Sequence, residues 1–313
     1  MNIIGMKKAG LTHPTGNKDF SVMQAFPFAF EPEESDPFLM CDHFGPVISK
    51  GRATHPDEFE VPWHPHRGMD ILTYLISGIG RHADSLGNRE EFQSPGMQWI
   101  SVGSGIEHAE GGGTPKGEIV EGFQIWVNVP SERKMDDPRY GTEPPEHIPV
   151  YENQTSSPGM KARVLAGQIE DAKGPFSTVQ PVEMIDFMLI KNSAHIHQVP
   201  ELYDNCLIYI YKGAGIINGN AVSIHQVVRL DSTDANKRNI ELSTEAEDGM
   251  QVILFAGKRL NQPIAWRGPF VMTTDKEIRQ TLLDYRNDKF LIKRASWDYK
   301  RIETAPVDNH PKN

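Results

Sequence analysis

The sequence predicts an all-β protein carrying one helix near its end. Three observations point there: short apolar or alternating runs recur along the chain, Gly- and Pro-rich turn signals separate them, and one stretch alone shows a capped helical period. The runs include ILTYLISG at 71–78, EGFQIWVNV at 121–129, KARVLAGQ at 161–168, CLIYIYKGAG at 206–215 and MQVILFAG at 250–257. Between them fall DSLGN at 84–88, SPG at 94–96, INGN at 217–220 and EDG at 247–249, all of turn composition. This is the rhythm of a barrel or a sandwich.

The segment RKMDDPRYGTEPPEHIPVYENQTSSPG at 133–159 is rich in proline and charge and has no sustained apolar period, so it reads as a linker. It separates residues 1–140 from 141–313, each long enough for a barrel of its own. In the second part Thr274 and Glu277 form a T-x-x-E capping box, and Ile278, Leu282 and Tyr285 follow at helical spacing. That helix is expected to pack against the barrels. No short-period repeat points to a solenoid. A weak two-fold repeat is suggested by an H-x-H in each half, His64 and His66, then His195 and His197.

Composition narrows the function classes. Of 313 residues, 24% are charged and 38% hydrophobic, which suits a folded chain rather than a disordered one. The 42 acidic residues against 32 basic ones give a net charge of -10, which disfavours direct binding to nucleic acid or to anionic membranes. Cys41 and Cys206 fit neither a disulfide framework nor a CxxC site, and read as small buried hydrophobes in a reducing compartment. MNIIGMKKAGLTHPTG at the start has no apolar run of signal length, and no later segment is built to span a bilayer. The expected location is the cytoplasm.

The chemistry begins at WHPHRG, residues 63–68. Residues i and i+2 of a strand share a face about 6–7 Å apart, so His64 and His66 present two imidazoles to one point while Pro65 takes the other face. A proline there suits a strand start or an edge, near a barrel mouth. In GSGIEHAEGGG at 103–113, His108 and Glu110 repeat the spacing. The interval from His66 leaves room for a few antiparallel strands, which would bring the two pairs together. Three imidazoles and one carboxylate, with no thiolate nearby, form a borderline donor set for one divalent metal, Fe(II) first, with Mn, Co, Ni, Cu or Zn compatible. Around an octahedral ion four protein ligands leave two positions for water, O2 or a chelating substrate. An open site argues for chemistry rather than for a structural zinc.

HPHRGMDILTYLISG, HADSLGN, SPGMQWISVGSGIEHAEG and GFQIWVNVP, in this order, resemble the signature of the pirin family within the cupin superfamily. DPFLMCDHFGP at 36–46 and GPFVMTTDKEIRQTLLDYRN at 268–287 extend the resemblance over nearly the whole chain. It implies a bicupin: two packed barrels of double-stranded β-helix type with a short C-terminal helix. The metal, typically iron, would sit in the N-terminal barrel on His64, His66, His108 and Glu110. It also implies either a flavonol 2,4-dioxygenase, a quercetinase, or a redox-responsive transcriptional co-regulator working through protein partners. In the first role a flavonol such as quercetin would bind the metal through its 3-hydroxyl, Glu110 would accept the proton as general base, and O2 would cleave the heterocycle with release of CO. A third reading is another cupin reaction on a small metabolite.

Two positions depart from the pattern. Asp70 stands where cupins often carry glutamate, and Met97 where aspartate is usual in a P-G-D turn. The second pair, His195 and His197, has no histidine partner some forty residues on, so it reads as an incomplete site on surface or strand-end histidines. His13, His43, His55, His82, His147, His225 and His310 lack paired spacing and are expected in ordinary exposed or hydrogen-bonded roles. Gln124, Trp126 and Asn128 alternate on one face, offered to the pocket or to the core. Gly111 to Gly113 fit a mobile rim or a tight bend of positive φ. EPEESD at 31–36 reads as a solvated loop.

Overall fold

A computed structural model of the chain describes residues 1–14, 20–52 and 59–292. Its described residues divide into two compact units, and neither is one continuous stretch. Met1–His43 joins Glu146–Asn261, and Phe44–Pro145 joins the segment from Gln262 onward. The linear partition at residue 140 therefore differs from the observed one. The C-terminal segment, which sequence order gave to the second barrel, belongs to the unit that carries WHPHRG.

That unit contains two antiparallel sheets. One orders the strands Val61–His66, Ile106–Glu110, Ile79–Asp84 and Arg89–Gln93, and the other includes Arg139–Glu143, Met97–Ser101, Met69–Ser77 and Ile119–Asn128 in that order. They face one another, since His66 of the first meets Trp126 of the second and His82 of the first stacks on Tyr140 of the second. Met69–Ser77 reads MDILTYLIS and its first seven residues are buried, which is why its apolar run is nearly unbroken rather than alternating.

The supposed linker is partly barrel. Arg139–Glu143 pairs antiparallel with Met97–Ser101, and Lys134 is buried with Nζ donating to Gly68 O, Asn128 Oδ1 and Val271 O. A strand at the end of a sheet needs only backbone pairing on one side, so its charges and glycine are tolerated and hide it from an apolar-period search.

Thr274 caps the helix Asp275–Arg286, and Glu277 completes the box as the sequence requires. Ile278 is buried with Phe270, Met272 and Phe290, and Leu282 packs against them, while Tyr285 is 41% exposed with its ring near Phe270. The hairpin before the helix, Ala265–Arg267 with Phe270–Met272, runs so close to Gly68 that a Cβ there would lie 2.1 Å from Val271 O. Gly68 also has φ +88, so only glycine fits where the chain turns from the first H-x-H into Met69–Ser77.

The other unit contains a sheet running Ile3–Lys8, Gln226–Leu230, Asn205–Ile217, Met250–Gly257, Val182–Leu189, Met160–Ala166 and Val150–Glu152. Ser193–Gln198 and Asn239–Thr244 pair beside it. The enclosed core includes Met160, Val164, Phe187, Ile208, Leu242 and Leu254. Together the units give the expected all-β fold of two barrels with a C-terminal helix. EPEESD is not a plain solvated loop: Pro32–Ser35 form one helical turn, and Asp36 is buried, accepting the Asn261 backbone N–H. Cys41 and Cys206 are free and buried, and burial raises both thiol pKa values, away from reactivity. Among the described residues no helix is long and apolar enough to cross a membrane.

Candidate metal centre

Register brings the two motifs together. On adjacent antiparallel strands His108 lies opposite His64, and Ile106 opposite His66. One ring nitrogen from each of His64, His66 and His108 falls within 4.8 Å of the others, and Nε2 of His108 stands 2.9 Å from Nε2 of His64. His66 and His108 are buried and His64 is partly exposed, so the cluster opens on the His64 side.

Hydrogen bonds set which nitrogen is free. His64 Nδ1 lies 2.8 Å from Pro62 O and His66 Nδ1 lies 3.2 Å from Pro269 O. A carbonyl can only accept, so both rings carry a proton on Nδ1, and in the neutral form the lone pair is on Nε2. Burial, followed by the charge of neighbouring histidines, holds His66 and His108 well below the ordinary imidazole pKa. Inward lone pairs, on rings of which His64 and His66 are anchored through their other nitrogen, are what a divalent metal requires. The donor set fits a divalent ion.

Glu110 stands apart from this cluster. Its Oε1 accepts a 2.8 Å hydrogen bond from Gln124 Nε2, and its carboxylate is not among the ligand atoms gathered around the imidazoles. The pairing with Val61–His66 shifts register between His108 and Glu110, where a bulge inserts an extra residue opposite. Beyond it Gly111 and Gly112 have φ +87 and +79, which answers the rim question in favour of a tight bend.

Residues that spacing could not find complete the surroundings. Pro269 and Trp266 come from the C-terminal segment. The Trp126 ring meets His66 edge-on at 5.1 Å and lies 5.7 Å from Trp266, so Trp126 lines the site while being 7% exposed. His82 is also buried, with Nε2 3.1 Å from Asp84 Oδ2 and its ring 5.5 Å from that of His108. Its place on Ile79–Asp84, the strand paired with Ile106–Glu110, gave no local signal.

Asp70 is not at the cluster. Its carboxylate accepts from Trp99 Nε1 at 3.1 Å, and burial raises its pKa to about 7 despite hydrogen bonds from Trp99 and Ser101 and the charges of Arg139 and Lys134. A folded value above the unfolded value of about 3.9 means that stability is greatest at low pH and is lost as pH rises through 7. Asp70→Asn is therefore expected to raise the unfolding free energy from urea denaturation at pH 8 by up to roughly 4 kcal/mol, and to leave it nearly unchanged at pH 3.5. Equal effects at both pH values would contradict this.

The second H-x-H is not at the surface. His195 and His197 are 7% and 4% exposed, both pointing inward from Ser193–Gln198. Opposite them the paired strand supplies Leu242 and Ile240, where the first barrel supplies His108 and Ile106. His195 Nδ1 pairs instead with Ser157 Oγ and His197 Nε2 with Glu183 Oε2, both at 2.9 Å. Of the histidines outside an H-x-H motif, His43 and His225 both bond the Tyr209 hydroxyl, His13 bonds Phe20 O and His147 is exposed. His55 and His310 lie outside the described residues.

Comparison with known proteins agrees with this architecture. Residues 19–127 match the pirin family and residues 184–291 match the pirin C-terminal cupin domain. A Pseudomonas aeruginosa protein named "Putative quercetin 2,3-dioxygenase" is 35% identical over 267 residues, covering 82% of this chain and 87% of that protein. Human pirin is 32% identical over 270 residues, covering 85% and 87%. A crystal structure of quercetin 2,3-dioxygenase from Acinetobacter baumannii superposes with a TM-score of 0.80 at 28% identity, covering 92% of this chain and 98% of that one. Matched by family in both halves and by fold along nearly its whole length, the chain belongs to the pirin family.

Proposed function

We propose that this protein is a metal-dependent dioxygenase that cleaves a flavonol such as quercetin with O2 and releases CO. The observation that carries the reading is the convergence of three imidazoles at an opening, on strands one of which also carries Glu110, whose carboxylate is held by an amide rather than by a cation. Kinship with relatives named for quercetin dioxygenase activity points the same way. The metal we assign is Fe(II), held by His64, His66 and His108, with Glu110 as fourth ligand once its carboxylate turns from Gln124 Nε2 toward the imidazoles. The same donors accept Mn, Co, Ni, Cu or Zn.

Bound there, a divalent ion supplies Lewis acidity that lowers the pKa of a flavonol 3-hydroxyl. His66 is braced by Pro269 O and the Trp126 ring, and His64 by Pro62 O, so these two rings do not have to reorganise as substrate enters. Glu110 takes the hydroxyl proton on its carboxylate as general base. Gln124 gives up its bond to Glu110 Oε1 when that carboxylate moves to the substrate. Trp126 excludes water from the His66 side of the site. The deprotonated, electron-rich ring then reacts with O2.

The test is O2 uptake and CO release when anaerobically Fe(II)-loaded protein meets quercetin. Wild type is expected to release CO in step with quercetin consumed, and Glu110→Gln to be slower by about 100-fold or more with iron still bound. A fully loaded wild-type protein that releases no CO would sink the flavonol reading and direct the search to redox-dependent protein partners.

A further inference from the structure

Among the described residues, two buried imidazole nitrogens in the metal barrel have no hydrogen-bond partner, Nδ1 of His108 and Nδ1 of His82. Their residues lie on paired strands, are 0% and 1% exposed, and hold their ring centroids 5.5 Å apart. An in-plane N–H···N bond, with its heavy atoms about 3 Å apart, puts two imidazole centroids about 5 Å apart. The observed separation of 5.5 Å is close to that value.

The tautomers are complementary. A carboxylate only accepts, so in a neutral His82 ring the contact with Asp84 Oδ2 puts the proton on Nε2 and leaves Nδ1 as a lone pair. His108 presents Nε2 to the cluster, 2.9 Å from His64 Nε2, and offers a lone pair there only with its own proton on Nδ1. One orphan is thus a donor and its neighbour an acceptor. Asp84 is itself fixed and fully buried, with Oδ1 accepting from the backbone of Leu86 and Asn88 and Oδ2 from Asn88 Nδ2. Behind His82, Tyr140 stacks at 4.6 Å and 18°, so the ring is confined.

We propose that Asp84 and His82 are positioning residues for His108: His82 Nδ1 accepts the His108 Nδ1–H and fixes the tautomer that leaves His108 Nε2 free as a ligand. This rests on reading the triad as a metal centre. Pro62 O does the same for His64 and Pro269 O for His66, and His82 completes the set for the third ring. Unlike a carbonyl, this acceptor depends on a second residue, because Asp84 decides which nitrogen of His82 carries the proton.

The test measures Co(II) and Zn(II) affinity by chelator competition on the full chain, with ¹⁵N NMR of the histidines in zinc-loaded wild type. His82→Phe keeps a ring against Tyr140 but removes the acceptor, and is expected to weaken binding 10- to 100-fold. Asp84→Asn is nearly isosteric and is expected to weaken it comparably, since an amide N–H facing His82 moves the proton to Nδ1 and sets two N–H groups against each other. NMR is expected to show His82 protonated on Nε2 and His108 on Nδ1. Affinities within twofold of wild type in both variants, or the opposite tautomer of His82, would overturn the relay. Should either variant fail to fold, the wild-type tautomers decide. A wild-type chain that binds neither metal would refute the metal reading and the relay with it, an outcome distinct from failure of the variants alone.

Discussion

His108→Ala is expected to lower metal affinity by more than 100-fold while the barrel stays folded. Losing an outer partner of a metal ligand costs 10- to 100-fold, and losing the ligand itself costs more. His108 is the buried ring opposite His64, and without it no three imidazoles converge. The vacated volume is expected to cost about 1–3 kcal/mol of stability in the metal-free protein. Chelator competition with Co(II), alongside urea denaturation, measures both quantities. Affinity within tenfold of wild type in a folded variant would remove the triad from consideration.

A second large effect is expected at the residue that follows His66. Arg67 is 2% exposed and its guanidinium donates to Ser104 O, Thr281 Oγ1, Asp284 Oδ2 and Phe290 O, with Phe290 stacked 4.5 Å away. Arg67→Leu strands these acceptors, and breaking a buried pair by removing one partner costs about 3–5 kcal/mol. Since Pro269 O reaches His66 from the same C-terminal segment, metal affinity is expected to fall as well, about 10- to 100-fold. Burial alone would raise the Asp284 pKa, but the Arg67 hydrogen bond and charge bring it below the ordinary carboxylate value. That stabilisation is present above the unfolded value of about 3.9 and is lost as pH falls through the folded one, so Arg67→Leu should be less sensitive to acid in this range. An unchanged urea midpoint would show that the segment is not held by Arg67.

What the sequence could reveal was set by distance along the chain. His64, His66 and His108 were legible because strand alternation puts i and i+2 on one face and turn signals bound the strands between the pairs. Thr274 with Glu277 marked the helix start by a purely local rule. Glu110 was only half legible: spacing places its Cα near the site, but the direction of a carboxylate several bonds out is decided by Gln124 on another strand. Pro269, Trp266 and the Arg67 network join residues about 140 to 220 positions apart, and no local pattern encodes such a meeting. The same limit gave the C-terminal segment to the second barrel, whereas in the structure it groups with Phe44–Pro145. His195 and His197 show the converse, a true local pattern whose partner strand carries Leu242 and Ile240 instead of further ligands.

Anomalous diffraction from a crystal of the full chain grown with one equivalent of Fe(II) or Co(II) under anaerobic conditions tests the metal centre most directly. The expected result is a single peak per chain, bonded to Nε2 of His64, His66 and His108. No peak there in metal-loaded crystals, or a peak between His195 and His197 instead, would contradict it.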